Sequence, residues 1–135
     1  MTDSEDEQGI SSGRGDEVAR IAAEKLTSDG AIVRFEFEKR LGGDVEGVAT
    51  RFDGEIIAFA NVCPHQGLPL DSYTGEFFGE NGRILVCDVH GARFEPGSGE
   101  CVLGPCQGDR LEKMRVRRDE DAGEVVILRG RGLSL

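Results

Sequence analysis

The residue types with the most chemistry in this 135-residue chain are four cysteines and two histidines. Each histidine lies close to a cysteine: one residue separates Cys63 from His65, and two residues separate Cys87 from His90. Thiolate sulfur and imidazole nitrogen are ligands that transition metals prefer in proteins. The two pairs therefore predict a metal centre whose ligands come from two separate loops.

A glycine follows each pair, at Gly67 and Gly91. Glycine at these positions lets backbone amides approach a metal or a sulfide closely. Two thiolates and two imidazoles suit a tetrahedral zinc site. They also suit a [2Fe–2S] cluster in which two histidines replace two cysteines on one iron. The remaining alternative is that the four residues are unrelated, which is disfavoured because every histidine of the chain has a cysteine partner.

The elements that must position these loops are predicted mainly as β-strands. Alternation of apolar and polar residues, and short apolar runs between turn-forming residues, indicate strands. Asp53-Gly54 predicts a type I′ hairpin. Two loop segments, 63–71 and 87–106, are dense in Gly, Pro, Cys and His. The predicted strands are 31–38, 45–52, 55–61, 83–87, 111–117 and 124–128.

The N-terminal part of the chain is predicted to differ from the rest. Residues 1–15 are acidic and rich in Gly and Ser, and they predict a disordered tail. Apolar residues recur at helical spacing between Asp16 and Leu26, which predicts one short helix, with a strand as the alternative. Residues 16–135 are predicted as a single domain with its metal-binding part at about 62–106.

Composition narrows the function classes. The net charge is −10, from 26 acidic and 16 basic residues. This charge disfavours nucleic acid and anionic membranes as partners. It favours docking against a basic patch on another protein, with solubility alone as the alternative explanation. No apolar run reaches the roughly 18–20 residues that cross a bilayer, and the N-terminus resembles no signal or transit peptide. A cytoplasmic location is expected, where four cysteines favour metal or redox chemistry over structural disulfides.

The two cysteine–histidine pairs resemble the cluster-binding boxes of the Rieske [2Fe–2S] domain family, in particular of soluble Rieske-type ferredoxins. The resemblance covers about residues 30–130. It is carried by Cys63-Pro64-His65-Gln66-Gly67, Cys87-Asp88-Val89-His90-Gly91-Ala92-Arg93-Phe94, Gly97-Ser98-Gly99 and Gly104-Pro105.

The resemblance implies a fold and a ligand set. The fold would be mainly β, an antiparallel sandwich of small sheets with a two-loop cluster-binding subdomain. Cys63 and Cys87 would ligate the inner iron of one [2Fe–2S] cluster, and His65 and His90 would ligate the outer iron near the surface.

Further residues receive expected roles from the same resemblance. The loop at Gly104-Pro105 would shield a third side of the cluster. Leu68 and Leu70 would contribute apolar cover, with ordinary loop packing as the alternative. Phe94 is expected beneath the second loop as a core residue.

Three departures from the family pattern bear on the reduction potential and on partners. Asp88 stands where relatives often carry proline, which adds negative charge. The stretch between the boxes is longer than usual, and its residues 71–79 could form a partner-docking loop or a neutral surface insertion. Leu68 and Val89 replace the disulfide cysteines of high-potential members, and Ala92 replaces their serine. Fewer hydrogen bonds to sulfur and more negative charge predict a low-potential centre.

Cys101 and Cys106 lie outside the two boxes. They are expected to be two small, partly buried thiols. A disulfide between them is the alternative.

The predicted function is that of a one-electron carrier between a reductase and an oxygenase or other oxidoreductase, with no catalytic residues of its own. A mononuclear iron site of two histidines and a carboxylate is not expected, because both histidines are assigned to the cluster. No nucleotide-binding glycine motif is present. The alternatives are a small cluster-bearing subunit of a larger redox enzyme and, from another class, a zinc-stabilised interaction module.

Overall fold

A computed structural model describes residues 16–64, 67–71, 75–79, 82–88, 91–104 and 108–130. These residues form two antiparallel sheets, with one 3₁₀ turn at Ala23–Leu26. The larger sheet, in the order β1-β10-β9-β4-β3-β2, is built from β1 (Glu17–Ala22), β2 (Ile32–Glu38), β3 (Asp44–Phe52), β4 (Glu55–Ala60), β9 (Lys113–Asp119) and β10 (Glu124–Leu128). The smaller sheet, in the order β5-β6-β7-β8, is built from β5 (Phe78–Gly79), β6 (Ile84–Val86), β7 (Arg93–Phe94) and β8 (Cys101–Leu103). The predicted mainly β fold is confirmed.

The N-terminal segment is a strand, so the prediction of a short helix there is wrong and its alternative is right. β1 pairs antiparallel with β10, and Ile21 lies opposite Val125. Both side chains are buried in the core. An isolated helix of about ten residues is marginal in water. Pairing with an apolar strand gives the same residues backbone partners along one edge and a buried face, so the helical geometry is restricted to the 3₁₀ turn.

The hairpin between β3 and β4 has the predicted turn. Asp53 and Gly54 have φ values of 52° and 82°. Positive φ at both central residues defines the type I′ turn, whose twist matches that of the flanking strands. The predicted closing pair is also present as β9 and β10, although β9 begins at Lys113 rather than at Leu111.

Both faces of the larger sheet are covered at β3 and β4. Val48 and Phe59 pack in one core together with Phe94 of the smaller sheet. Their strand neighbours Ala49 and Ala58 belong to a second core on the opposite face. Side chains alternate between faces along a strand, so two adjacent apolar residues require two cores. The smaller sheet is thereby fixed on the centre of the larger one.

The two edge strands of the larger sheet, β1 and β2, lie beside each other. The sheet therefore curls so that its first and last strands meet. Within the described ranges, no helix has both the length and the apolar character that a membrane crossing requires.

Candidate metal centre

Cys63 and Cys87 occupy equivalent places in the fold. Cys63 lies just beyond the end of β4, and Cys87 directly follows β6. The two residues are 1% and 0% exposed, and neither of them forms a disulfide. They belong to the same core, which also contains Leu70. Two strand ends, one from each sheet, thus bring two buried thiols to one region of the molecule.

The loops that begin at the two cysteines close in the same way. In the first loop, the amide of Cys63 donates to the Leu68 carbonyl at 2.8 Å, and the amide of Gly67 donates to the Cys63 carbonyl at 2.7 Å. The second loop repeats both bonds, from the Cys87 amide to Ala92 at 2.8 Å and from Gly91 to the Cys87 carbonyl at 2.8 Å. The two loops are therefore closed by the same pair of backbone hydrogen bonds.

The glycines predicted to matter are required by this closure. Gly67 and Gly91 have φ values of +72° and +74°. A side chain in this left-handed region is strained, and glycine adopts it without cost. The glycines thus serve the closure of each loop; the predicted approach of backbone amides to a metal stays a prediction.

The predicted histidine ligands, His65 and His90, lie outside the described residues, as does Val89. Among the residues that are described, no group of three or more His, Cys, Asp or Glu side chains could hold a metal. The ligand set of Cys63, His65, Cys87 and His90 therefore stays a prediction.

The two cysteines themselves suit the inner side of an iron–sulfur cluster. Neither sulfur is in a disulfide, both are withdrawn from water, and the core around them is apolar. Ligation by cysteine requires a thiolate sulfur that no disulfide has consumed. An apolar shell also limits solvent access, one of the means by which proteins tune such centres.

The two leucines predicted to give apolar cover differ in their placement. Leu70 is fully buried in the core that contains both cysteines. Leu68 has 43% of its surface exposed. Leu70 also connects the loops, because its carbonyl accepts a hydrogen bond from the Asp88 amide at 2.9 Å.

A third segment packs against the second loop. Gly104 has a φ of +108°, and a Cβ atom there would lie 2.9 Å from the Cα atom of Ala92. Ala92 itself is fully buried. The shielding of a cluster by this segment stays a prediction, and Pro105 and Cys106 lie outside the described residues.

Asp88 and Cys101 are two further neighbours of the buried cysteines. The Oδ1 atom of Asp88 is buried, which brings a carboxylate oxygen inside the protein one residue beyond Cys87. Cys101 is 5% exposed and disulfide-bonded. The expectation that Cys101 and Cys106 are two thiols is therefore wrong for Cys101.

The longer stretch between the boxes is anchored to the larger sheet. Phe77 is 3% exposed and meets Phe59 edge-on, with ring centroids 6.1 Å apart. Phe78 stacks on Phe52 at 6.0 Å. Phe52, Phe77, Phe78 and Arg83 border a cleft of about 680 Å³. A docking loop and a neutral insertion both stay predictions for this stretch.

Sequence reasoning missed one polar residue of the site, Asn61. It is 2% exposed, lies two residues before Cys63, and its side chain accepts a hydrogen bond from the Leu70 amide at 2.8 Å. The available signal was an asparagine placed directly after an apolar strand. A buried polar side chain needs partners, and these partners come from distant parts of the chain.

The comparisons with known proteins identify a domain. The sequence model of the Rieske [2Fe-2S] domain matches residues 21–118. The oxidoreductase NdmD of Pseudomonas putida is 34% identical over 77 residues, which is 56% of this chain. The chain spans only 12% of the length of that protein.

Solved structures share the fold at low sequence identity. The ferredoxin of carbazole 1,9a-dioxygenase from Nocardioides aromaticivorans IC177 superposes with a TM-score of 0.64 at 20% identity, covering 85% of this chain and 99% of that chain. The terminal oxygenase of the same system gives a TM-score of 0.66 at 22% identity, covering 87% of this chain and 31% of that chain.

Proposed function

Because the chain belongs to the Rieske [2Fe–2S] domain family, we propose that it binds one [2Fe–2S] cluster through Cys63, His65, Cys87 and His90 and carries single electrons between protein partners. The observation that carries the proposal is the pair of matched loops, each of which begins with a buried cysteine that forms no disulfide. Two buried cysteines without further features would be weak support. The same pair of backbone hydrogen bonds in both loops is typical of a metal centre.

The histidines have different places within the two copies of the loop. His65 is the second residue after its cysteine, whereas His90 is the third after its own.

The cluster would supply reversible one-electron transfer. The chain holds its ligands in two closed loops and keeps water from the cysteine side by burying both thiols.

Partner docking is proposed at the loop surface. Leu68 in the first loop and Leu103 beside Gly104 are 43% and 54% exposed. Exposed apolar residues next to the loops suit a transient protein contact. The net charge of −10 favours a partner whose docking surface is basic.

For the partners, we propose a reductase as donor and an oxygenase or another oxidoreductase as acceptor. Support comes from the shared fold with the carbazole 1,9a-dioxygenase ferredoxin, and from a solved complex described as one of reduced oxygenase and oxidized ferredoxin.

A low reduction potential belongs to the same proposal. Leu68, Val89 and Ala92 supply neither a disulfide nor a hydroxyl donor near the loops, and Asp88 brings a carboxylate oxygen inside. The lack of a hydroxyl donor to sulfur and the added negative charge both favour the oxidised cluster. We expect a midpoint potential below zero against the hydrogen electrode in protein-film voltammetry. A potential well above zero would contradict this part of the proposal.

The test of the ligand set is electron paramagnetic resonance of the dithionite-reduced protein, together with iron and sulfide analysis. A low average g value is expected for mixed cysteine and histidine ligation. H65C and H90C should change or abolish the signal, whereas the control variant S98A, placed in a turn outside both boxes, should leave it unchanged. An unchanged signal in both histidine variants would show that the ligand assignment is wrong.

One alternative is a cluster-bearing subunit of a larger redox enzyme. NdmD favours it, because the matched segment is a small part of that protein. Gel filtration and co-purification distinguish a freestanding carrier from such a subunit, because a stable heterocomplex would support the subunit hypothesis. A zinc-stabilised module is distinguished by colour, since a zinc protein is colourless.

A further inference from the structure

We propose that Asn61 is a positioning residue that holds the two cysteine-bearing loops to each other and thereby sets the geometry of the cluster. This inference rests on the proposed function, because it concerns the loops that would hold that cluster. Asn61 directly follows β4 and is 2% exposed. A side-chain amide so deeply buried needs partners for its oxygen and for both of its N–H groups.

The oxygen of Asn61 fixes the end of the first loop. Its Oδ1 atom accepts a hydrogen bond from the Leu70 amide at 2.8 Å. The carbonyl of the same residue, Leu70, accepts from the Asp88 amide at 2.9 Å. Asp88 is the residue after Cys87. A short hydrogen-bonded path therefore runs from the residue two positions before Cys63 to the residue after Cys87.

The nitrogen of Asn61 fixes the orientation of its amide. The Nδ2 atom donates to Glu46 Oε1 at 2.7 Å and to Asp71 Oδ1 at 3.1 Å. Turning the amide over would place its oxygen against two carboxylates and its nitrogen against the Leu70 N–H. Only the observed orientation satisfies all three partners.

Arg34 ties the two carboxylates together from the outside. It donates to Glu46 Oε1 at 3.1 Å and to Asp71 Oδ2 at 2.5 Å. The side chain of Asp71 is 9% exposed, so its pairing with Arg34 is partly shielded from water. The guanidinium also lies 5.0 Å from the centre of the Phe77 ring.

The network therefore connects β2 and β3, which carry Arg34 and Glu46, to both loops. Strands are rigid and loops are not, so the strands supply the fixed reference against which the loops are held. If this connection is lost, the two loops can shift relative to each other. Ligands on two shifted loops change the electronic surroundings of the cluster, not only the stability of the fold.

The test compares N61L with V125A in the holoprotein. Leucine is close to asparagine in size but offers no hydrogen bond. Val125 is fully buried in the second core, which excludes both cysteines, so V125A lowers stability without touching the loops. For N61L we expect altered g values, a shifted midpoint potential and cluster loss to a chelator about 10–100-fold faster than in the wild type. For V125A we expect a lower unfolding temperature with an unchanged spectrum and potential.

The possible results of this test distinguish a failure of the inference from a failure of the proposed function. If N61L keeps the wild-type spectrum, potential and chelation rate, the inference is wrong. If N61L does not fold, D71N takes its place, and the same changes in smaller size are expected; a D71N protein identical to the wild type overturns the inference. Hydrogen exchange of the Leu70 and Asp88 amides, measured by mass spectrometry, should be faster in N61L whatever metal the loops hold. A wild-type protein without iron and sulfide contradicts the proposed function instead.

Discussion

Gly104 is a residue whose replacement tests the packing of the third segment. Its φ is +108°, and an added Cβ would lie 2.9 Å from the Cα atom of Ala92. We expect G104A to lower the free energy of unfolding by about 1–3 kcal/mol from backbone strain, with a similar further loss from overpacking. Denaturant titration measures the effect.

Gly108 offers a matched control for this change. Its φ is +99°, and no atom of the described residues lies within 4 Å of a Cβ built there. G108A therefore introduces the strain without the collision. Equal losses in the two variants would mean that the contact between Gly104 and Ala92 contributes nothing.

Asp71 makes the stability depend on pH in the acid range. Burial would raise the pKa of Asp71, but hydrogen bonds from Arg34 and Asn61 outweigh it and hold that pKa below its usual value. The ionised carboxylate thus stabilises the fold above the unfolded pKa of about 3.9, and this stabilisation is lost as the pH falls through the lower folded value. The expected result is a free energy of unfolding that drops as the solution is acidified below about pH 5.

The variant D71N isolates this contribution. Because asparagine does not titrate, the decline between about pH 5 and pH 3 should be shallower in D71N than in the wild type. Urea unfolding at stepped pH values compares the two proteins. Parallel pH profiles would show that the ionisation of Asp71 does not stabilise the fold.

At the scale of elements, the pairing of β2 with β3 contains a close ring-to-backbone contact. Phe35 lies opposite Gly47, and a Cβ on Gly47 would lie 2.4 Å from two ring carbons of Phe35. G47A must displace the ring, so we expect a loss of about 1–3 kcal/mol in the free energy of unfolding.

A double-mutant cycle checks the cause. F35L removes the ring that collides, so the combined variant F35L/G47A should lose less than the sum of the two single changes. Simple additivity would mean that the ring is not what excludes a side chain at Gly47. Thermal and denaturant unfolding of the four proteins provide the values.

Most of the strands that could be predicted have enough residues to show a pattern, and the three-residue β6 could be placed because it follows the turn-forming pair Asn81-Gly82. β2, β3, β4 and β10 have five to nine residues with apolar periodicity or apolar runs. β5, β7 and β8 have two or three residues each, too few for any period to be visible. A helix was favoured over the correct alternative at β1 because the helical spacing is local, whereas the pairing of β1 with β10 depends on residues about a hundred positions away.

In the candidate site, too, local features could be predicted from the sequence and long-range contacts could not. The cysteine positions could be predicted because type and spacing lie within single loops. The partners of Asn61 could not, because Glu46 is 15 residues away from it and meets it only through the register of β3 and β4. A hydrogen-bond network assembled by tertiary packing leaves no spacing pattern in the sequence.

At the scale of the whole molecule, the charge of −10 acts on stability through mutual repulsion. Raising the ionic strength from about 0.01 M to 0.15 M shortens the screening length from roughly 30 Å to 8 Å. Distant repulsion is screened, whereas close pairs such as Arg20 with Glu17, at 2.8 Å, are affected less. We therefore expect the unfolding temperature near neutral pH to rise with added sodium chloride.

The same titration at about pH 4.5 is the control, since many carboxylates are then partly protonated. The stabilisation by salt should shrink there. A salt effect of equal size at both pH values would point to ion-specific binding rather than to screening of the net charge.

The meeting of β1 with β2 has a consequence for self-association. Unpaired strand edges act as templates on which further chains can add, and proteins that expose them are prone to aggregate. Here the two margins of the larger sheet shelter each other. Within the described residues, the sheet that supports the loops therefore keeps its two edge strands beside each other, and we expect little self-association through those edges.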